Sequence, residues 1–318
     1  MKPLPLALVM LCFYLTTAQE THVVGQVVNA VTSEPLPYVN IVLEEGHRGT
    51  STDGQGRFSF LLKGVNSNTL LKFSYVGFKT KRVSLAGLQN KVIKMQPEIN
   101  VLSEVLLYNI TEEHAEKIND FRGKEYVGLG NFSGGQFPST IARYYARPQE
   151  FEEGCFLKEV EVRFFSTGAN SRRGAKFRLR ILAVDENGFP GEDLLKADLI
   201  ITKKPNRFQI KIPLLEYEIF IPEEGFFVAV EHLFIEENKY VEEKDYRIYR
   251  EKDTVVYKDL KIVKYLPVFK GVLEEEGNSS NSFFKDTNGW KKMNILDHSN
   301  PVLKGEIPAP AFKITLTN

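Results

Sequence analysis

EPLPYVNIVLEEGHRGTSTDGQGRFSF, residues Glu34 to Phe60, decides how the rest of the chain is read. Val39, Ile41 and Leu43 alternate with other residues, and Phe58 and Phe60 flank Ser59 in the same way. Between these runs lie Gly46, Gly49, Asp53, Gly54 and Gly56. Residues of these types tolerate positive φ and close tight turns. Alternation, turn chemistry and alternation again are the sequence form of a half-buried β-hairpin or its near relative.

Outward from this stretch the same grammar continues. His22 to Asn29 precedes it; Leu70 to Val76, Phe78 to Leu85 and Val92 to Met95 follow, separated by Gly, Asn and Pro. Short strands at close spacing predict a small β-sandwich over residues 21–107. The segments VVGQVVNAVTSEPLPYVNIVL, GTSTDGQGRFSF and LLKFSYVGFKTKRVSL also occur in a telling order. On these residues the region resembles the carboxypeptidase regulatory-like domain of secreted bacterial proteins, which implies a transthyretin-like sandwich from Val23 to Met95. Val101 to Val105 is similar to the segment that trails this module at the front of TonB-dependent outer-membrane receptors.

The family name does not carry peptidase chemistry with it. A zinc carboxypeptidase of that lineage needs a His-x-x-Glu pair on its metal. The third residues after His22, His47, His114, His232 and His298 are Gly25, Thr50, Lys117, Ile235 and Pro301. No HExxH occurs. The resemblance therefore implies the noncatalytic module alone, and no catalytic residue, metal ligand or cofactor site is expected.

The first 19 residues read as a signal peptide. Lys2 supplies charge, Leu4 to Leu15 an apolar core, and Thr16-Thr17-Ala18 small residues for cleavage. Met10 and Leu11 before Cys12 do not suit a lipoprotein signal. The expectation is an exported protein, periplasmic or on the outer membrane or cell surface, with no transmembrane span once the signal is removed. Cys155 is then the remaining thiol, and beside Phe156 and Leu157 it reads as a buried apolar group rather than a nucleophile. Lysine plus arginine equals aspartate plus glutamate, 41 against 41, so charge gives no argument for a nucleic-acid partner.

Residues 108–138 read as a linker with one short helix, Thr111 to Asp120. Thr111 supplies a cap, and Glu113 pairs with Lys117 four residues on. Gly128, Gly130, Gly134 and Gly135 lack the Lys-Ser/Thr of a phosphate loop. Residues 139–318 hold some ten short runs of strand character, among them Leu157 to Phe165, Phe177 to Val184 and the nearly apolar Phe226 to Phe234. They predict a jelly-roll-like β-sandwich and an all-β chain overall. FRLRILAVDENGFPGEDLL and GFFVAVEHLFI look like β-sandwich domains attached to secreted bacterial proteins. Asp185, Glu186 and Asn187 suit either a calcium site or, with Gly188, a tight turn; the turn is favoured. Trp290, beside a turn, and the aromatic–basic strand of Arg247 and Tyr249 are the candidate ligand-binding residues.

The function expected from these features is that of an exported, noncatalytic binding or assembly module of the cell envelope, with a glycan, a peptide or an envelope protein as partner. Two alternatives stand beside it: a hydrolase with its site in residues 139–318, and an accessory partner of a TonB-dependent transporter.

Overall fold

The computed structural model describes residues 20–88, 91–98, 110–118, 121, 124–151, 154–250, 253–274, 281–293 and 306–318. Residues 1–19, read from the sequence as a signal peptide, lie outside them. The described chain is all-β, and its one α-helix is the single turn Gly168–Arg172.

The N-terminal module is two small sheets face to face. Arg57–Lys63, Glu20–Asn29 and Lys91–Met95 form one, with Glu20–Asn29 antiparallel to the first and parallel to the second. Gly49–Ser51, Asn40–Leu43, Leu70–Ser74 and Lys81–Ser84 form the other. Strict alternation builds the core: Phe58, Phe60 and Leu62 point in from one sheet, and Ile41, Leu43, Leu71 and Phe73 from the other. Phe58 and Phe73 meet edge to face, a favoured aromatic geometry.

The C-terminal module is organised by a seven-stranded sheet. Its path runs Pro190–Asp193, Ala175–Val184, Phe226–His232, Thr140–Tyr145, Ser282–Asp286 and Gly289–Lys292, with Leu199–Lys203 also on Ala175–Val184. A four-stranded sheet of Gln209–Pro213, Phe156–Arg163, Lys313–Thr317 and Ala115–Ile118 packs over its inner face. Ile307–Pro310, Phe269–Glu274 and Tyr126–Leu129 close one side as a third sheet. Phe177, Leu179, Val228, Val230, Val160, Val162, Ile314 and Phe269 meet in one large core. Phe226–His232 is buried at every residue, as a central strand covered on both faces should be.

One expected element is different. The described part of the Thr111 to Asp120 stretch, residues 111–118, is not a helix: Ala115–Ile118 is a strand, paired with Lys313–Thr317 in the register Ile118 to Ile314 and Ala115 to Thr317. Glu112 takes a left-handed φ of 56°, and the N–H groups of Thr111 and Glu112 both bond to the Asn318 carbonyl. A ten-residue polar helix has little stability of its own, whereas an open sheet edge offers a full set of backbone partners. Among the described residues the one short α-helix lies instead at Gly168–Arg172.

Lys239–Arg250 and Asp253–Tyr265 form a long hairpin whose strands pair with each other alone among the described strands. Its base is pinned by Tyr265 stacked on Phe234, with ring centroids 3.7 Å apart.

The two modules are docked. Gly49 N–H donates to the Gln136 carbonyl at 2.8 Å, and Ser51 N–H to the Phe234 carbonyl at 3.2 Å. Ser51 Oγ accepts the Phe234 N–H at 3.0 Å and donates to Asn40 Oδ1 at 3.1 Å. The approach is close enough to require glycine at 49: a Cβ there would lie 2.8 Å from the Phe137 Cβ and 2.9 Å from the Ile41 carbonyl oxygen.

Candidate functional site

Docking leaves a cleft of about 420 Å³ between the modules. One wall is the outward face of the N-terminal four-stranded sheet, with Asn40, Val42, Lys72 and Ser74. The other is the outer face of the C-terminal seven-stranded sheet, with Thr140, Arg178, Arg180, Glu231 and Lys285.

The register explains why four of those five residues converge. Arg178 is paired with Glu231, Glu231 with Thr140, Thr140 with Lys285, and Lys285 with Trp290. Directly opposed residues point to one face of a sheet. Arg178, Glu231, Thr140, Lys285 and Trp290 thus form a single row across five strands. The next row begins with Arg180 and continues through Ala229, Ala142 and Phe283; these three, with Leu182 and Phe227 of the row beyond, make an apolar cluster on the same face. The outer face is therefore half greasy and half ionic, and the ionic half meets the N-terminal module.

Arg178 is the hub of that half. Only 1% of its surface is exposed. Its Nε donates to Asp198 Oδ1 at 2.5 Å, its Nη1 to Glu231 Oε1, and its Nη2 to the Tyr38 carbonyl at 2.8 Å. Tyr38 belongs to the N-terminal module and holds a left-handed φ of 58°, a conformation that a non-glycine residue keeps only where its surroundings enforce it. Tyr75, also N-terminal, donates its hydroxyl to Asp198 Oδ2 at 2.8 Å, and its ring centroid lies 5.3 Å from the Arg178 guanidinium. Arg180 makes two bonds to Asp193, at 2.9 and 2.7 Å. Lys176 Nζ reaches the Tyr38 hydroxyl at 3.1 Å.

The titration behaviour follows from these partners. Burial disfavours charge on Arg178, but Glu231 and Asp198 more than offset it and raise the guanidinium above its ordinary value. Burial would raise Glu231, yet Arg178 and Arg180 hold its carboxyl below the usual range. Burial raises the Tyr75 hydroxyl, and the Asp198 charge raises it further. Lys285 goes the other way: burial, then the charge of Arg180, push its amine down to about 8 against the pull of Glu231. Lys285 is thus the ammonium of the cleft that burial and like charge weaken.

The residues singled out by sequence fall in different places. Trp290 ends the ionic row, half-buried against the apolar cluster, with Lys285 Nζ 5.5 Å from its ring centroid. Arg247 and Tyr249 lie on the hairpin strand Lys239–Arg250, in another sheet, and their side chains are outside the described residues. Asp185 Oδ1 accepts the N–H groups of Asn187 and Phe189 at 2.9 and 2.8 Å, and Gly188 sits at φ 78°, so these residues build a turn. Cys155 is fully buried, and burial pushes its thiol up to about 11.

Arg178, Asp198, Glu231, Tyr75, Lys72 and Lys285 escaped the reading of the sequence. A signal was present. Glu231 interrupts the apolar run from Phe226 to Phe234, and a carboxylate in a strand covered on both faces requires a buried cation. Arg178 and Arg180, set among Phe177, Leu179 and Ile181, were the available ones.

Comparison with known proteins bears on the N-terminal part. Residues 23–107 match the family model of the CarboxypepD_reg-like domain, so this module is of that type. TonB-dependent receptor P3 of Formosa agariphila is 31% identical over 90 residues, which are 28% of this chain and 9% of that receptor. TonB-dependent receptor P39 of the same organism is 28% identical over 109 residues, 33% of this chain and 10% of the receptor. The chain thus spans about a tenth of the length of these relatives. No helix among the described residues is long and apolar enough to cross a membrane.

Proposed function

We propose that the protein is a noncatalytic binding module of the cell envelope whose ligand seats in the cleft between its two sandwiches. The observation that carries this reading is the cleft itself, which has walls from both modules and a buried ionic row as its inner surface. A cavity of this size with a few convergent polar groups has the ordinary form of a small-molecule site. The envelope context is supported by the likeness of the N-terminal module to parts of two TonB-dependent receptors.

The chemistry of the cleft favours holding over turnover. Lys285, pushed down to about 8, is poised near the working pH, but acid–base turnover would pair it with a second group such as a carboxyl of raised pKa. Glu231 is instead held ionised by two arginines. Asp198 and Asp193 are committed to Arg178 and Arg180.

The test is a calorimetric screen of sugars, sugar acids and short peptides against the chain from Glu20 onward, repeated with Ser74→Trp to fill the cleft. Saturable binding that Ser74→Trp abolishes is expected. Binding that survives the substitution, or steady turnover of a screened glycoside or peptide, would overturn the proposal.

A second reading is favoured by the receptor likeness: an accessory protein of a TonB-dependent transporter, in the outer membrane or facing it. Pull-down from envelope membranes tests this, with a receptor in the eluate as the expected result and its absence as the contrary one.

A further inference from the structure

We infer that the cleft takes a small carboxylate-bearing ligand, held between Lys72 of the N-terminal module and Lys285 of the C-terminal module. The inference rests on the cleft reading above and adds the chemistry of the ligand.

Charge pairing in the cleft leads to it. Each arginine of the ionic half has carboxylate partners: Arg178 has Glu231 and Asp198, and Arg180 has Asp193 and, at 3.7 Å, Glu231. At the rim Glu44 is taken by Arg82 at 2.5 Å, and Asp286 by Lys291 at 2.5 Å. Glu98, which also lines the cleft, is exposed to water. Among the described residues neither Lys72 nor Lys285 makes an ion pair, yet both line the cavity. Lys72 stands on the outward face of Leu70–Ser74, whose inward residues Leu71 and Phe73 fill the N-terminal core. Lys285 stands in the ionic row opposite Thr140. The two ammonium groups come from different modules, and the charge of Lys72 bears on Lys285 across the space between them.

Two unpaired cations facing one cavity repel each other, and a bound anion relieves that repulsion while the paired arginines keep their partners. Burial and then Arg180 do most to lower the titration of Lys285, and Lys72 adds a smaller push of the same sign against the pull of Glu231 and Asp193. Ammonium groups are point charges without the planar fork of a guanidinium, so they accept a single carboxylate from either side. The volume admits a ligand the size of one sugar or a few amino-acid residues, which leaves two sources for the carboxylate: a sugar acid or a peptide C-terminus.

The chain contains its own reporter. Trp290 is its one tryptophan, and it lies directly across the strand pair from Lys285. An anion that draws the ammonium from the indole changes the fluorescence of that ring.

The experiment titrates the chain from Glu20 onward with glucuronate, with acetyl-dialanine, and with glucose and acetyl-dialanine amide as neutral counterparts. Tryptophan emission and heat are both recorded. A saturable response to one of the carboxylates is expected, with the neutral forms at least about tenfold weaker; the arm that responds identifies the source. Lys285→Gln and Lys72→Gln should each weaken binding about tenfold or more, and Lys285→Arg should restore most of it. Circular dichroism confirms that each variant is folded. Equal binding of charged and neutral partners, or undiminished binding in both glutamine variants, would overturn the inference. If neutral partners bind and Ser74→Trp abolishes it, the cleft reading stands and the carboxylate inference falls. If nothing in the full screen binds, both fall.

Discussion

Two strands of this molecule carry the same pattern and meet opposite fates. In Arg57–Lys63 the inward residues Phe58, Phe60 and Leu62 are buried, while Arg57, Ser59, Leu61 and Lys63 stand exposed. In Ala175–Val184 the inward residues Phe177, Leu179 and Ile181 are buried too, but so is Arg178 on the other face. Alternation tells which side of a strand meets its own core. It is silent on what covers the other side. Here the second cover is an entire module, and the charges beneath it had to be satisfied as a network.

Arg178→Ala breaks the comparison most forcefully. It strips Asp198 of its cation and leaves Glu231 only Arg180, 3.7 Å away, and should lower stability by about 3–5 kcal/mol in urea denaturation. Ser51→Ala comes next. It removes the acceptor of the Phe234 N–H and the donor to Asn40 without touching either core. The expected loss is about 1–3 kcal/mol, together with faster hydrogen exchange at the Phe234 amide.

The pH dependence sharpens the comparison from another side. His232 follows Glu231 in the same strand and is fully buried. Its Nε2 lies 3.1 Å from the Pro267 carbonyl oxygen and its Nδ1 3.3 Å from that of Ser139, and burial lowers its pKa to about 4 from 6.5. The unfolded chain therefore binds a proton there that the folded chain refuses. The His232 contribution to stability should be full above pH 6.5 and decline as pH falls from 6.5 toward 4. Glu231, lowered in the fold, adds a further loss only below its ordinary value of 4.5. Thermal unfolding across this range checks the slope, and His232→Gln should remove the upper part of it. The smallest effect is expected at the exposed counterpart: Arg57→Ala should change stability by no more than about 0.5 kcal/mol.

The two cores were legible because their residues alternate without interruption, from Val39 to Leu43, from Phe58 to Leu62 and from Phe177 to Ile181. The all-β character followed from the same runs. The CarboxypepD_reg-like module was legible from its motifs. What was not legible depends on partners distant in sequence. Ala115–Ile118 becomes a strand because Lys313–Thr317, about two hundred residues later, offers an edge. Of the long hairpin only the aromatic–basic strand around Arg247 and Tyr249 was singled out, because charged residues such as Glu242, Glu243, Lys261 and Lys264, which form ion pairs across it, break up the apolar alternation. The cleft was invisible for the same reason: Tyr38 and Arg178 meet across 140 residues of chain. Trp290 was singled out for its chemistry alone, and the register places it next to Lys285.

The docking of the two modules around Arg178 is tested most directly by a double-mutant cycle between Tyr75→Phe and Asp198→Asn, which probes one bond made across the module boundary. Stability measured on the four chains should show a coupling of about 1 kcal/mol or more. Additivity to within about 0.3 kcal/mol would mean that the two side chains do not meet in solution, and the cleft between the modules would lose its basis.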